Sequence, residues 1–88
     1  KKHSLIAKNY PNPFNPSTVI EFQMQKPGNV SIEIFDITGK SVEKITSQNY
    51  SAGTHQVKWN AADCATGLYF YKVSSNNESV IGKMTLIK

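Results

Sequence analysis

Six carboxylates, two imidazoles and one thiol are the groups in this 88-residue chain best suited to acid–base, metal or nucleophilic chemistry. The acids Glu21, Glu33, Asp36, Glu43, Asp63 and Glu78 are dispersed, and no two are spaced in sequence as a general acid and base. Folding could still bring two of them together. His3 and His55 are too few for a zinc site without Cys or carboxylate neighbours. Asp36 near Gly39 hints at calcium, but carboxylates at alternate positions are missing. Cys64 stands alone beside Ala65-Thr66-Gly67, so no internal disulfide forms, and it reads as a small packing residue. Neither a nucleophile elbow nor a phosphate-cradling glycine loop occurs. The expectation is a protein without catalytic residues, cofactor or metal.

The aromatic residues offer a different chemistry. Trp59, Tyr69 and Tyr71 could form a flat platform for sugar rings, which would make the chain a carbohydrate-binding accessory module of a secreted multidomain enzyme. A purely structural accessory module, a spacer or assembly domain, is the other alternative. Large aromatics at alternating strand positions are more often the plug of a sandwich core. A net charge of +4 suggests an anionic partner. Yet all ten basic residues are Lys, so the planar guanidinium fork that grips phosphate or guanine is absent. Lys1, Lys2 and Lys8 lie near the N-terminus and the others are scattered along candidate strands. The charge reads as a solubility device that guards strand edges, and no nucleic-acid partner is expected.

These side chains must be positioned by strands. Gly67-Leu68-Tyr69-Phe70-Tyr71-Lys72-Val73 is the most apolar and aromatic run, too short for a helix of similar burial, and predicts a central buried strand. Lys72 must reach solvent, which puts Tyr69, Tyr71 and Val73 toward the core. The same run looks like a tyrosine corner, with the Tyr69 hydroxyl bonded to backbone just upstream. Residues 18–24 alternate with Thr18, Ile20, Phe22 and Met24 on one face. Lys26-Pro27-Gly28-Asn29 is a turn, and 30–37 is a second strand with Val30, Ile32 and Ile34 inward. Asp36-Ile37-Thr38-Gly39-Lys40 makes a hairpin in which Gly39 supplies a positive φ. Residues 41–46 return, with Val42 and Ile45 as apolar members, and 49–53 is a loop. His55, Val57 and Trp59 share a face of strand 54–60, and Val80, Gly82, Met84 and Leu86 share a face of strand 78–87.

Tyr10-Pro11-Asn12-Pro13-Phe14-Asn15-Pro16-Ser17 excludes helix and strand interior, and predicts a stiff loop with Tyr10 and Phe14 as anchors against the end of the body. Residues 1–8 read as a linker from a preceding domain, with Leu5-Ile6-Ala7 either an edge strand or a lead-in. Residues 9–88 are enough for a single core, burying roughly 60–65% of the unfolded surface. No run reaches membrane-spanning length, so no membrane insertion is expected. Turn signals between short alternating segments, with no helical periodicity, predict an all-β fold: an immunoglobulin-like antiparallel β-sandwich of about seven strands.

Four landmarks in order add a resemblance. Asn9-Tyr10-Pro11-Asn12-Pro13-Phe14-Asn15-Pro16-Ser17-Thr18, Asp36-Ile37-Thr38-Gly39-Lys40, Gly67-Leu68-Tyr69-Phe70-Tyr71-Lys72 and Lys83-Met84 resemble those of the type IX secretion C-terminal sorting domain. The chain is also similar to the immunoglobulin-like domain of the flagellar hook-capping protein. The likeness covers nearly everything from Asn9 onward. It implies a non-enzymatic domain carried behind a cargo protein that reaches the periplasm of a Gram-negative bacterium. An outer-membrane translocon then reads the folded domain, and in many cases a surface sortase removes it, leaving the cargo secreted or anchored at the cell surface. The recognition residues implied by the resemblance are Pro11, Asn12, Pro13, Asp36, Gly39, Gly67, Tyr69, Lys83, Met84, Leu86 and Lys88. Cleavage is implied in the linker, near or before Lys8.

Overall fold

The computed structural model describes residues 5–88. Seven strands form in chain order: β1 (Ile6–Tyr10), β2 (Ser17–Met24), β3 (Gly28–Asp36), β4 (Ser41–Tyr50), β5 (Gly53–Asn60), β6 (Gly67–Ser75) and β7 (Glu78–Leu86). They make a three-stranded sheet in the order β1-β2-β5 facing a four-stranded sheet in the order β4-β3-β6-β7. All strand pairings are antiparallel. This is the immunoglobulin-like sandwich architecture expected from the alternation.

Period two decides what is buried, because successive side chains leave a strand on opposite faces. Thr18, Ile20, Phe22 and Met24 of β2 point inward, as do Val30, Ile32 and Ile34 of β3 and Tyr69, Tyr71 and Val73 of β6. Met84 and Leu86 of β7 and Trp59 of β5 complete the core, together with Phe14 from the proline loop. Trp59 sits between Phe14 and Tyr69, with ring centroids 5.7 and 5.8 Å away. Trp59 and Tyr71 are 2% and 4% exposed, which overturns the sugar-platform reading: no ring face is open to a ligand.

Two turns fix the register of the larger sheet. In the β3–β4 hairpin Gly39 donates its N–H to the Asp36 carbonyl at 3.0 Å and holds φ at 87°, the left-handed region that favours glycine. The β6–β7 turn is built on Asn76 and Asn77, both with positive φ, which suits the right-handed twist of the flanking strands.

Two expectations are corrected and one open alternative is decided. Strand β4 runs on to Tyr50, because its ladder with β3 continues to the Gly28–Tyr50 pair; Val42 is exposed rather than apolar core. The registers shift between Ile32 and Glu33 and between Ile34 and Phe35, so β4's alternation is broken and a simple two-residue reading of it fails. Tyr10 is 39% exposed and is no anchor, since Ile6, Lys8 and Tyr10 take the outer face of β1. Finally, β1 pairs with β2 from Ile6 onward and Leu5 is buried, so residues 5–8 are an edge strand and its lead-in; residues 1–4 of the expected linker lie outside the described residues.

Candidate functional site

The residues set apart by the resemblance gather at one end of the sandwich. Cross-strand partners show it: Asp36 lies opposite Tyr69, Tyr69 opposite Met84, and Gly67 opposite Leu86. The proline loop, which enters β2 at Ser17, closes over the same end.

Asn12 is the clasp. Its side-chain amide donates to the Lys83 carbonyl at 3.0 Å, and its carbonyl oxygen accepts the Thr85 N–H at 3.0 Å. Phe14 then behaves as a one-residue strand parallel to β7. Its N–H donates to the Thr85 carbonyl (2.9 Å) and its carbonyl accepts the Ile87 N–H (3.0 Å). The Phe14 side chain is fully buried beneath Trp59, which pins the loop from inside. From the other flank the Thr18 hydroxyl, itself buried, donates to the Pro11 carbonyl and accepts from the Asn9 amide. The loop is thus held by both sheets.

The neighbouring turns are equally committed. Asp36 Oδ1 accepts the Thr38 hydroxyl (2.6 Å) and the N–H groups of Thr38 and Lys40. The Thr38 hydroxyl chiefly, with those backbone donors and the Lys40 charge, holds the Asp36 carboxyl below its ordinary value. The Tyr69 hydroxyl donates to the Ala65 carbonyl at 2.6 Å, forming the corner read from the sequence. Burial pushes the Tyr69 phenol up, and that of Tyr71 likewise. Gly67 opens β6 at φ 153°. Lys88 Nζ donates to the Ala62 carbonyl at 2.9 Å and ties the end of the chain to the β5–β6 connection.

Of the residues implied as recognition elements, Tyr69, Met84 and Leu86 are interior, while Asp36 and Asn12 spend their polar groups on the fold. Pro11, Pro13, Gly39, Lys83 and Lys88 present surface. Exposed Ile37 and Ile87 lie at the same end. Sequence reasoning missed the hold of Asn12 on β7, Thr18 as the buried strut of the loop, and Gly82. A β-carbon on Gly82 would sit 2.1 Å from the Tyr71 ring, which lies directly across from it. The available signals were a polar residue on an inward face and a glycine interrupting an apolar alternation.

The reactive groups are engaged elsewhere. Burial, then the Glu43 charge, raises the Cys64 thiol above its ordinary value, away from the nucleophilic thiolate. Glu43 accepts from the Trp59 indole, Glu33 from the Ser41 hydroxyl and Glu21 from the Tyr10 hydroxyl. Among the described residues no three His, Cys, Asp or Glu groups are placed to hold a metal.

A family model described as "Secretion system C-terminal sorting domain" matches residues 8–88. No curated protein matches the chain. Among solved structures, the chain is similar to Pseudomonas fluorescens alkylpurine DNA glycosylase AlkC bound to DNA containing an abasic site analog. The TM-score is 0.50 at 13% identity, over 94% of this chain and 30% of that one. That likeness concerns the fold alone.

Proposed function

The chain belongs to the secretion system C-terminal sorting domain family, and from that premise we propose that its proline-loop end is the face a type IX outer-membrane translocon reads. As a member of that family it is a sorting signal attached to an N-terminal cargo bound for export. One observation carries the finer reading. Landmarks separated by as much as the span from Pro11 to Lys88 converge on one end, where Asn12 and Phe14 lock loop to last strand. A signal of that kind exists only in the folded state, because no linear segment contains it.

We read the domain as non-catalytic and its address as surface shape: Pro11, Pro13, Gly39, Lys83 and Lys88, supported from beneath by Asp36, Gly67, Tyr69, Met84 and Leu86. The cargo crosses the periplasm first, and a sortase then exchanges the domain for a surface anchor. We read cleavage as falling in the linker ahead of Leu5, because a cut at Lys8 would sever β1, where Lys8 pairs with Glu21 at 3.7 Å and the backbone is in register with β2. The test is to fuse residues 1–88 behind a periplasmic reporter in a type IX-competent host. The fused reporter should reach the medium or cell surface while the bare reporter stays periplasmic. Equal distribution of the two contradicts the proposal.

A further inference from the structure

Every open sandwich has four free edges, and this one guards them unequally. Strand β1 has only five residues, and β4 is broken by two register shifts. Strand β5 exposes polar side chains, Thr54, Gln56 and Lys58. Strand β7 is nine residues long, stays in register with β6 throughout and is covered only in part. The groups bonded to the proline loop are the Lys83 carbonyl, both peptide groups of Thr85 and the Ile87 N–H. In an antiparallel pair the N–H and C=O of alternate residues point to the same side. The peptide groups of Ser79 and Ile81 and the N–H of Lys83 therefore face the same free edge. Among the described residues none is hydrogen-bonded to them, and β1 packs alongside β7 without pairing with it.

The side chains beside this opening are also unusual for an edge. Ile81 is 66% exposed on the outer face, next to Lys72, and Lys83 lies across from half-buried Phe70, itself paired with Phe35. The outer-face rows are Phe35–Phe70–Lys83 and Glu33–Lys72–Ile81, so Phe35, Phe70 and Ile81 make a diagonal apolar patch interleaved with Lys72 and Lys83, with Lys44 of β4 opposite Glu33. Glu33 is the carboxylate on this face and is held by the Ser41 hydroxyl at 2.6 Å. Glu78, at the start of β7, turns to the Leu5 N–H.

We propose that the β7 edge from Ser79 to Lys83 is a strand-addition site for an extended, acidic and apolar segment of a partner protein. Unpaired peptide groups in a row are satisfied by another strand, and alternate side chains of that strand would fall beside Ile81. The lysines choose the partner. A second copy carrying +4 would bring like-charged flanks together, whereas glutamate or aspartate on the incoming strand would meet Lys72 and Lys83. The proposal rests on the sorting reading for the source of that segment, a protein of the export machinery, and it adds a second contact on the half of β7 that the clasp leaves open.

The test uses the whole domain, with a capped peptide of alternating valine and glutamate as the probe and its valine–lysine counterpart as the control. In an NMR titration the acidic peptide should shift the Ser79, Ile81 and Lys83 amides, less so at high salt, and the basic one should not. Ile81→Pro removes the outward N–H without touching the β6 ladder, and should weaken binding on the order of tenfold or more at unchanged Tm. Lys72→Glu/Lys83→Glu, which leaves the backbone alone, should reverse the peptide preference. In the export assay Ile81→Pro should lower the exported fraction by a similar factor. Absence of binding at millimolar peptide, shifts centred on another strand, or dimerisation through β7 overturns the proposal. If domain removal blocks export while Ile81→Pro leaves it unchanged, only the edge assignment fails. If domain removal has no effect, the sorting reading fails.

Discussion

Asn12 looks on paper like a turn residue between two prolines, and in the fold it is a two-pronged hydrogen-bonding clamp on β7. Replacing it by Ala should cost about 1–2 kcal/mol, two net hydrogen bonds at a partly solvated site, measured by urea unfolding. Gly82 is a packing constraint: Gly82→Ala drives a methyl into the buried Tyr71 ring and should destabilise by about 1–3 kcal/mol in the same assay. The buried phenols of Tyr69 and Tyr71 make a pH prediction. Their folded pKa values lie above the unfolded value of about 10, so the stability they contribute is complete below that pH. It is lost as pH climbs through the raised values. Thermal melts should therefore fall above about pH 10, and Tyr71→Phe should flatten the decline. The Tyr69 corner and the Asp36–Gly39 turn were legible because each depends on residues close in sequence. Asn12 and Gly82 were not, since their partners lie 71 or more positions away or across a strand pair.

Strands with an unbroken alternation, β2, β3, β6 and β7, could be placed from their side chains, because one face meets the core and the other meets water. For β4 the start was legible but not its end or its inward face: it is an edge with two register shifts, and exposed Val42 carries no burial signal. Edge character also determines how elements breathe. Amide exchange should be slowest in β2, β3 and β6, which are paired on both sides, as local opening there requires the whole sheet to part. Within β7 the outward amides should divide. Thr85, and Ile87 just beyond the strand, are bonded to the proline loop and exchange slowly, and Ser79 and Ile81 exchange fast. In Asn12→Ala the Thr85 amide should join the fast group, while a Thr85 amide that exchanges as fast as Ser79 in the parent domain would contradict the clasp.

At the scale of the molecule, a basic, lysine-only chain folds into a sandwich whose aromatic residues are spent on its interior. Composition alone allowed an anionic partner or a sugar platform; the burial of Trp59 and Tyr71 removes the second. Fold class followed from the spacing of turns, because each strand must bury one face against another layer. The sorting role did not follow from any reactive group, and rests on ordered landmarks and on a family match over residues 8–88. The central proposal is that the folded proline-loop end is itself the signal. Its most direct test is export of a reporter fused to the domain in which Pro11, Pro13 and Lys88 are each changed to Ala and the thermal midpoint is checked to be intact. The expected result is a folded domain whose cargo stays in the periplasm; a variant of native stability that is exported as efficiently as the parent would contradict the proposal.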